Sequence, residues 1–305
     1  MKKSTTLNTF VFLIFSTIFV FSSFSTINNK YYGNGYSSSY LKSFKGDNVK
    51  VYSLKEGYSE IGHSIWLSRG AKKMNAVYFS EGDVYGKHKK WSNGKDVFLT
   101  CSGAFSDDLN KTAGALPVGI NVENGYVKNR TVIKEGMDAL VVVYATGGIV
   151  VSDLTKGDLF LKSLGKEVNI RKDVSAKYDF LDWAKKEKAT VFQTQLLAYK
   201  NELKIDYQGR KQKRERRFLA LATTNSGTLY HIIFNLPNGV YLYDGTKNVL
   251  DHLKDQNMDV TAILNLDTGA YNVLQVNTGD YAIDSHLKGA TSISSAVNLL
   301  SYHYN

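Results

Sequence analysis

Three pairs of apolar runs, each joined by a short turn, are the feature of this sequence that most restricts its fold. The first pair turns at Asn124-Gly125, the second at Thr146-Gly147 and the third within residues 225–227. Asn-Gly between alternating runs is typical of a tight β-hairpin. Successive hairpins with few helical patterns predict an α+β fold, a single strand-rich domain with a mixed β-sheet and a few helices.

Two stretches have the apolar spacing of helices, residues 173–188 and residues 244–254. Thr246 is a candidate N-cap for the second helix because its hydroxyl can accept a hydrogen bond from the first turn. A short apolar run, residues 262–266, follows that helix and has the length and composition of a buried strand. This strand ends at Asp267.

The N-terminal 25 residues have the layout of a signal peptide. Lys2 and Lys3 precede an apolar stretch, residues 10–21, and small residues follow it. An uncleaved anchor is the alternative, although the stretch is short for a membrane span. We therefore expect an exported protein, periplasmic, cell-surface or secreted, with no stable transmembrane span once the signal is removed. Residues 26–47 are rich in Ser, Gly, Asn and Tyr and are predicted to form a flexible arm, and residues 48–305 form the domain.

The formal net charge of +10 includes a basic cluster at residues 210–217. No aromatic residues alternate with these cations and no nucleic-acid-binding module is present, so a nucleic-acid partner is not expected. Cys101 is the only cysteine, which excludes an intramolecular disulfide. The six histidines lack ligand spacing, so no metal site is predicted. A divalent cation is compatible with the sequence but not required by it, and the oligomeric state stays open.

Two strand ends carry the candidate catalytic groups. Asp267 follows one buried strand, where a carboxylate beside a flexible turn is either catalytic or a simple turn cap. Ser102 and Gly103 follow another, residues 97–101. Asp107 and Asp108 come just after and are interpreted either as a second carboxylate or as a turn or cation site.

The order of these motifs resembles the phosphodiester glycosidase family over residues 97–302. The turn at residues 102–106 resembles the family's Asn-Gly-Gly-Phe-Phe turn, and residues 193–197 resemble its Gln-x-Gly-Pro-x-Leu segment. Residues 265–271 resemble its Asn-Leu-Asp-Gly-Gly-Gly-Ser signature, and an Arg precedes an apolar strand at 216 or 217. The departures fall on polar positions, since Ser102 stands where the family has Asn and Tyr271 stands where it has Ser.

The resemblance implies a site that cleaves a glycosyl phosphodiester. Asp267 and Ser102 would be its catalytic residues. The residues that would bind the substrate and its phosphate are Arg216, Arg217, Gly103, Gly269, Tyr271 and Gln193. Arg suits this role because its guanidinium binds phosphate in a bidentate manner, although a solvated charge run is the alternative for both arginines.

The sequence therefore supports two functions. The first is an exported hydrolase that cleaves a glycosyl phosphodiester or a related envelope glycan. The second is a catalytically altered family member that binds such carbohydrate or phosphate ligands, or serves a structural role in the envelope. Retention of Asp267 favours the first, and the changes at Ser102 and Tyr271 favour the second.

Overall fold

The computed structural model describes residues 35–69, 74–107, 115–157, 159–161, 165–207 and 212–304. The predicted signal peptide, residues 1–25, lies outside the described residues. None of the helices in the described ranges combines the length and the apolar character needed to cross a membrane.

Strands are the commonest regular element of the described chain. In the first half the strands are β1 Ser37–Phe44, β2 Val49–Glu56, β3 Ser59–Ser68, β4 Met74–Ser80, β5 Asp96–Cys101, β6 Asn121–Glu123, β7 Tyr126–Asn129, β8 Ala139–Val143 and β9 Ile149–Asp153. In the second half they are β10 Leu159–Leu161, β11 Lys166–Val168, β12 Thr190–Tyr199, β13 Glu202–Leu203, β14 Arg214–Thr224, β15 Leu229–Val240, β16 Met258–Leu266, β17 Leu274–Val276 and β18 Asn298–Tyr304. The helices are α1 Val84–Ser92, α2 Val174–Lys186, α3 Leu242–Asp255 and α4 Tyr281–His286, with a 3-10 helix at Ile293–Ser295.

Most of these strands form one sheet of 12 strands, which runs β1-β2-β3-β15-β14-β16-β12-β6-β7, with β8 and β13 also paired to β12 and β9 paired to β8. A second sheet has four strands in the order β17-β5-β18-β4, and β10 and β11 form a separate pair. The predicted mixed sheet is wrong for the described part of the chain, where all these pairs are antiparallel. Consecutive pairs such as β1–β2 and β14–β15 are antiparallel because tight hairpins reverse the chain, and distant strands such as β3 and β15 also meet in antiparallel orientation.

The large sheet has apolar residues on both faces. One face packs on the four-stranded sheet in a core that includes Leu219, Leu264 and Leu300. The opposite face packs under α3 in a core that includes Phe218 and Val249. The strand-rich α+β character predicted from the sequence agrees with this arrangement of two sheets and peripheral helices.

The N-terminal arm is the second difference from the sequence prediction. The segment predicted as flexible, residues 26–47, contains β1, which pairs along its length with β2. Tyr36 is buried, and its carbonyl oxygen lies 2.6 Å from Nδ1 of His252 on α3. The sequence does not mark this strand because Ser38 is its only buried residue and no apolar alternation runs along it.

The helix before β16 begins earlier than the sequence predicted. Its N-cap is Tyr241 rather than Thr246. Thr246 lies inside α3, where it is buried and its hydroxyl donates to the carbonyl of Leu242 at 2.7 Å. A threonine hydroxyl satisfied by the preceding turn is an alternative to capping that sequence alone does not distinguish.

Candidate functional site

Asp267 lies where β16 ends and meets the turn that follows β5. Its amide donates to the carbonyl of Gly103 at 3.0 Å, so the two turns are joined through their backbones. The Asp267 carboxylate accepts the amide of Gly269 at 2.8 Å, and the side chain is 6% exposed. A carboxylate in this position is fixed by the protein and largely removed from water.

Burial raises the pKa of Asp267 above its ordinary value, because removal from water disfavours the charged form. Three neighbours oppose this effect, the Gly269 amide, the Arg217 guanidinium and the Ser106 amide. The net shift is upward, so desolvation outweighs these stabilising contacts. Such a carboxylate is a stronger base than one in free solution.

Ser102 holds the neighbouring turn in place. Its amide donates to the carbonyl of Val273 at 2.9 Å, and its hydroxyl accepts the amide of Val273 at 2.9 Å. The hydroxyl also donates to the carbonyl of Tyr271. Ser102 is buried. The predicted catalytic hydroxyl is thus used to tie β5 to the chain that precedes β17.

Gly103 lies close to Tyr78 and Asn298, and the turn has no room for a side chain at this position. Its amide donates to Oδ1 of Asn298 at 2.9 Å, and the Asn298 amide group donates to the carbonyl of Ala104 at 2.9 Å. A Cβ at position 103 would lie 2.7 Å from Cε2 of Tyr78. The Gly103 amide, predicted to contact substrate, is occupied by Asn298.

Arg217 is the arginine that lies on the Asp267 side of the large sheet. Its side chain is fully buried, with Nη1 donating to the Val273 carbonyl at 2.8 Å. Nη2 donates to Oδ1 of Asn272 at 2.7 Å and to Oδ1 of Asn235 at 3.0 Å. Burial lowers the pKa of Arg217, and the nearby Cys101, Glu215 and Asp267 act in the opposite direction. The guanidinium stays charged, because the pKa of an arginine lies far above neutral pH. The predicted phosphate contact is therefore a buried cation held by protein acceptors.

Arg216 lies on the other face of the sheet. Alternation along β14 places Arg216 with Phe218 and Ala220, which belong to the core under α3. The same alternation places Arg217 with Leu219, in the core between the sheets. The structure consequently brings Asp267, Ser102, Gly103 and Arg217 together and excludes Arg216 from that group.

Gln193 is fully buried and ties down a loop. Its Oε1 accepts the amides of Ile133 at 3.0 Å and Ile120 at 3.3 Å. Its Nε2 donates to the carbonyls of Met137 at 2.6 Å and Ile133 at 2.9 Å. These contacts satisfy the amide completely, so the predicted substrate contact at Gln193 is a structural cross-link in this conformation.

The remaining predicted site residues are more exposed. The Asp107 carboxylate accepts the amide of Leu116 at 2.8 Å in a turn, and Asp108 lies outside the described residues. Gly269 is exposed, and the half-buried Tyr271 contributes its carbonyl to Ser102. No cluster of three or more His, Cys, Asp or Glu residues that could hold a metal is found in the described ranges.

Sequence reasoning missed the asparagines that organise the site. Asn235, Asn272 and Asn298 are nearly fully buried, and each bonds a site residue or its turn. Glu215 accepts from the Asn272 amide group at 2.7 Å and so joins the same network. The available signal was a single polar residue within or beside an apolar run, as at Asn235 after residues 232–234.

The fold and the site together define an antiparallel two-sheet α+β domain with a buried carboxylate beside a buried arginine. No protein-family model matches the sequence, and the search of curated proteins found no match. Among 12 matching chains of solved structures is a hypothetical protein from Synechocystis, with TM-score 0.43 and 8% identity over 88% of this chain and 62% of that one. Another is the catalytic domain of zebrafish N-acetylglucosamine-1-phosphodiester alpha-N-acetylglucosaminidase, auto-inhibited by its pro-peptide. Its TM-score is 0.45, with 13% identity over 88% of this chain and 81% of that one. These values are too low to transfer an activity to this chain.

Proposed function

We propose that this chain is an exported hydrolase that cleaves a glycosyl phosphodiester or a related envelope glycan, with Asp267 as its catalytic carboxylate. The observation that carries the proposal is the state of Asp267, which is nearly buried, is held by the Gly269 amide and has a raised pKa. A carboxylate with these properties at the junction of two turns is suited to proton transfer.

The chemistry of the bond indicates which role Asp267 takes. When the bond between the sugar carbon and the phosphate oxygen breaks, the phosphate leaves as a stable anion. It therefore needs little protonation by an acid. Catalysis is needed instead to activate the attacking water or to stabilise the oxocarbenium-like centre. We therefore propose that Asp267 acts as a base toward water or as the stabilising anion, rather than as the acid.

Arg217 would act through other groups in this proposal. Its hydrogen bonds go to Asn235, Asn272 and Val273, so it orders the chain beside Asp267 and adds a positive charge there. Ser102 has the corresponding role on the other turn. Both are positioning residues, and the substrate would be contacted from the exposed side of the turn at Gly269 and Tyr271.

A second candidate function is binding without catalysis. It is favoured by one observation, that the Ser102 hydroxyl and the Arg217 guanidinium are both occupied by protein partners. In that case the chain would bind an envelope glycan or its phosphate, or serve a structural role. Export, to the periplasm, the cell surface or the medium, belongs to both candidates and would be tested by the mass of the mature chain.

The deciding experiment is hydrolysis of a panel of glycosyl phosphodiesters by the purified protein and by Asp267→Asn. Asp259→Asn, which changes an exposed carboxylate on the same strand, is the matched control. The proposal expects turnover in the parent and in Asp259→Asn and its loss in Asp267→Asn. No turnover on any substrate, together with binding in all three proteins, would instead support the second candidate.

A further inference from the structure

A cavity of about 590 Å³ opens on the α3 side of the large sheet, away from the face that carries Arg217. Its walls come from Gln195 on β12, Arg214 and Arg216 on β14, and the first turn of α3. The size falls within the range of about 300–1,000 Å³ that is usual for sites of small ligands. The hydrolysis proposed above does not use this cavity.

Arg216 is the unusual member of the cavity wall. It is half-buried, and its Nε is buried without a hydrogen-bond partner in the part of the chain that the structure describes. Within the same ranges no carboxylate forms an ion pair with it, and Arg214 next to it has the same charge. A partly desolvated guanidinium without an anion is costly, and a ligand phosphate or carboxylate would satisfy it.

Two other charges in the cavity wall are compensated within the protein, whereas the exposed Arg214 donates only to the neutral Oε1 of Gln212, at 2.9 and 2.7 Å. Lys204 pairs with Asp153 at 3.1 Å, and Asp138 pairs with Arg171 at 2.7 Å. Asp206 also lines the cavity and provides an acceptor for a hydroxyl group. Arg216 differs from Arg214 because it is half-buried and its Nε has no partner among the described residues, and the carboxylate of Asp206 can face a different part of the same ligand.

Gln195 adds a neutral donor to the same wall. Its Oε1 accepts from the amide group of Asn265 at 2.7 Å, which fixes the orientation of the Gln195 amide. Gln195 lines the cavity, and its NH₂ group makes no hydrogen bond among the described residues, so it can donate to a ligand. A fixed amide donor beside a guanidinium is a combination that binds anionic oxygens or hydroxyl groups.

Tyrosine rings form the apolar part of the site. Tyr207 and Tyr243 meet edge to face with their centroids 5.5 Å apart, and Tyr207 is 60% exposed. An exposed ring supported by a second ring is a flat apolar surface with a polar tip. Such a surface stacks on the C–H face of a sugar while its hydroxyl groups reach the neighbouring amides.

We infer that this cavity binds a small anionic saccharide, a sugar that carries a phosphate or a carboxylate. Arg216 contacts the anionic group, Gln195 and Asp206 contact hydroxyl groups, and Tyr207 and Tyr243 pack against the ring. Because Arg216 and Arg217 lie on opposite faces of β14, this site is separate from Asp267. The inference holds whether or not Asp267 is catalytic.

The test is isothermal titration of the full chain with glucose 1-phosphate, glucuronic acid and glucose. At least one charged sugar is expected to bind more tightly than glucose, and comparison of the two shows whether phosphate or carboxylate is the preferred anion. Arg216→Gln should weaken the charged sugar about 10-fold or more, as expected for loss of a charge-assisted hydrogen bond, and leave glucose nearly unchanged. Tyr243→Leu should weaken all the sugars that bind.

Lys254→Gln is the matched control, because it removes one positive charge from the last turn of α3, at the opposite end from the cavity. It should bind like the parent. Thermal unfolding checks that each variant is folded. If Arg216→Gln does not fold, Arg216→Lys is used in its place. Asp267→Asn should retain binding even if it loses hydrolysis, which separates the two proposals. Equal affinity in Arg216→Gln and parent, no binding of any of the three probes at millimolar concentration, or loss of binding in Asp267→Asn would each overturn the inference.

Discussion

Arg216 and Arg217 are adjacent in β14, yet their side chains lie on opposite faces of the large sheet. Arg217 is fully buried and donates to Asn235, Asn272 and Val273. Arg216 is half-buried and lines the cavity beside α3. The two residues are identical in charge and differ entirely in environment, so the same substitution should have different consequences at each.

The first prediction compares Arg217→Lys with Arg216→Lys. A lysine at 217 keeps the charge but cannot reach three acceptors in the planar arrangement of a guanidinium. It leaves buried asparagine oxygens unsatisfied, and we expect a loss of about 3 kcal/mol in the free energy of unfolding. Arg216→Lys should cost less than about 1 kcal/mol, because its guanidinium has no protein partner to lose. Urea denaturation measures both values, and equal losses would contradict the opposite-face arrangement.

The second prediction concerns the pH dependence that Asp267 contributes. Burial raises its folded pKa above the ordinary value of 3.8, so the folded state binds the proton more tightly than the unfolded state. The stability that Asp267 contributes is therefore fully present below pH 3.8 and is lost as the pH rises through its folded pKa.

Asp267→Asn lacks this titration and keeps an oxygen for the Gly269 amide. Its free energy of unfolding should rise relative to the parent as the pH increases from 3.8 through the folded pKa, and the difference should then level off. Denaturation curves recorded across that range supply the measurement. A difference that is constant with pH would show that Asp267 titrates alike in both states.

The third prediction concerns His231, which is fully buried on β15. Neither ring nitrogen has a hydrogen-bond partner among the described residues, and burial lowers the pKa of His231 from 6.5 to about 3. The unfolded chain takes up a proton near pH 6.5 and the folded chain does not, so stability present above pH 6.5 is lost as the pH falls toward 3.

His231→Phe retains a ring against Tyr302, which His231 meets edge to face at 5.8 Å, and removes the unpaired nitrogens. We expect it to be about 1–3 kcal/mol more stable than the parent at pH 7, provided the larger ring fits. The advantage should grow below pH 6.5. Thermal unfolding at several pH values measures both effects, and an advantage that stays constant in acid would count against the lowered pKa.

The fourth prediction tests the close approach at Gly103. A Cβ there would lie 2.7 Å from Cε2 of Tyr78 and 3.1 Å from Oδ1 of Asn298. The Tyr78 ring stacks on Phe192 with centroids 4.4 Å apart, so it has little room to move. Gly103→Ala should cost about 1–3 kcal/mol of stability through overpacking.

Gly269→Ala is the matched substitution on the neighbouring turn. Its Cβ would meet only Oδ1 of Asp267, at 3.2 Å, so its cost in stability should be smaller than that of Gly103→Ala. If Asp267 is catalytic, however, Gly269→Ala should lower turnover by displacing that carboxylate. A larger stability loss at 269 than at 103, measured by thermal unfolding, would be inconsistent with the packing described.

The local elements of the fold were predictable because their signals are local. The hairpin at Asn124-Gly125 is present as β6 and β7, and Asp173 caps α2 at the place where the helical pattern begins. Helix α1 was missed because only Val84 and His88 of its residues are buried, which leaves almost no apolar stripe. The arrangement of strands was beyond reach, since it depends on contacts between residues far apart in the chain.

The candidate site was predictable only in part, for the same reason. A carboxylate at the end of β16 is visible in the sequence, and so is a turn after β5. Strand alternation shows that Arg216 and Arg217 must lie on different faces, but it does not say which face Asp267 shares. Asn298 contacts Gly103 although the two are 195 residues apart in the sequence, and no local pattern in either segment predicts that contact.

β18 has a consequence for biogenesis. It lies between β4 and β5 in the four-stranded sheet, and its first residue, Asn298, holds the turn after β5. β4 and β5 therefore cannot pair with β18 until more than 190 further residues have been synthesised. Closing such distant contacts is slow, so the nascent chain should stay open while it is being made. If the chain is exported, as we propose, this delay would keep it unfolded until it has crossed the membrane.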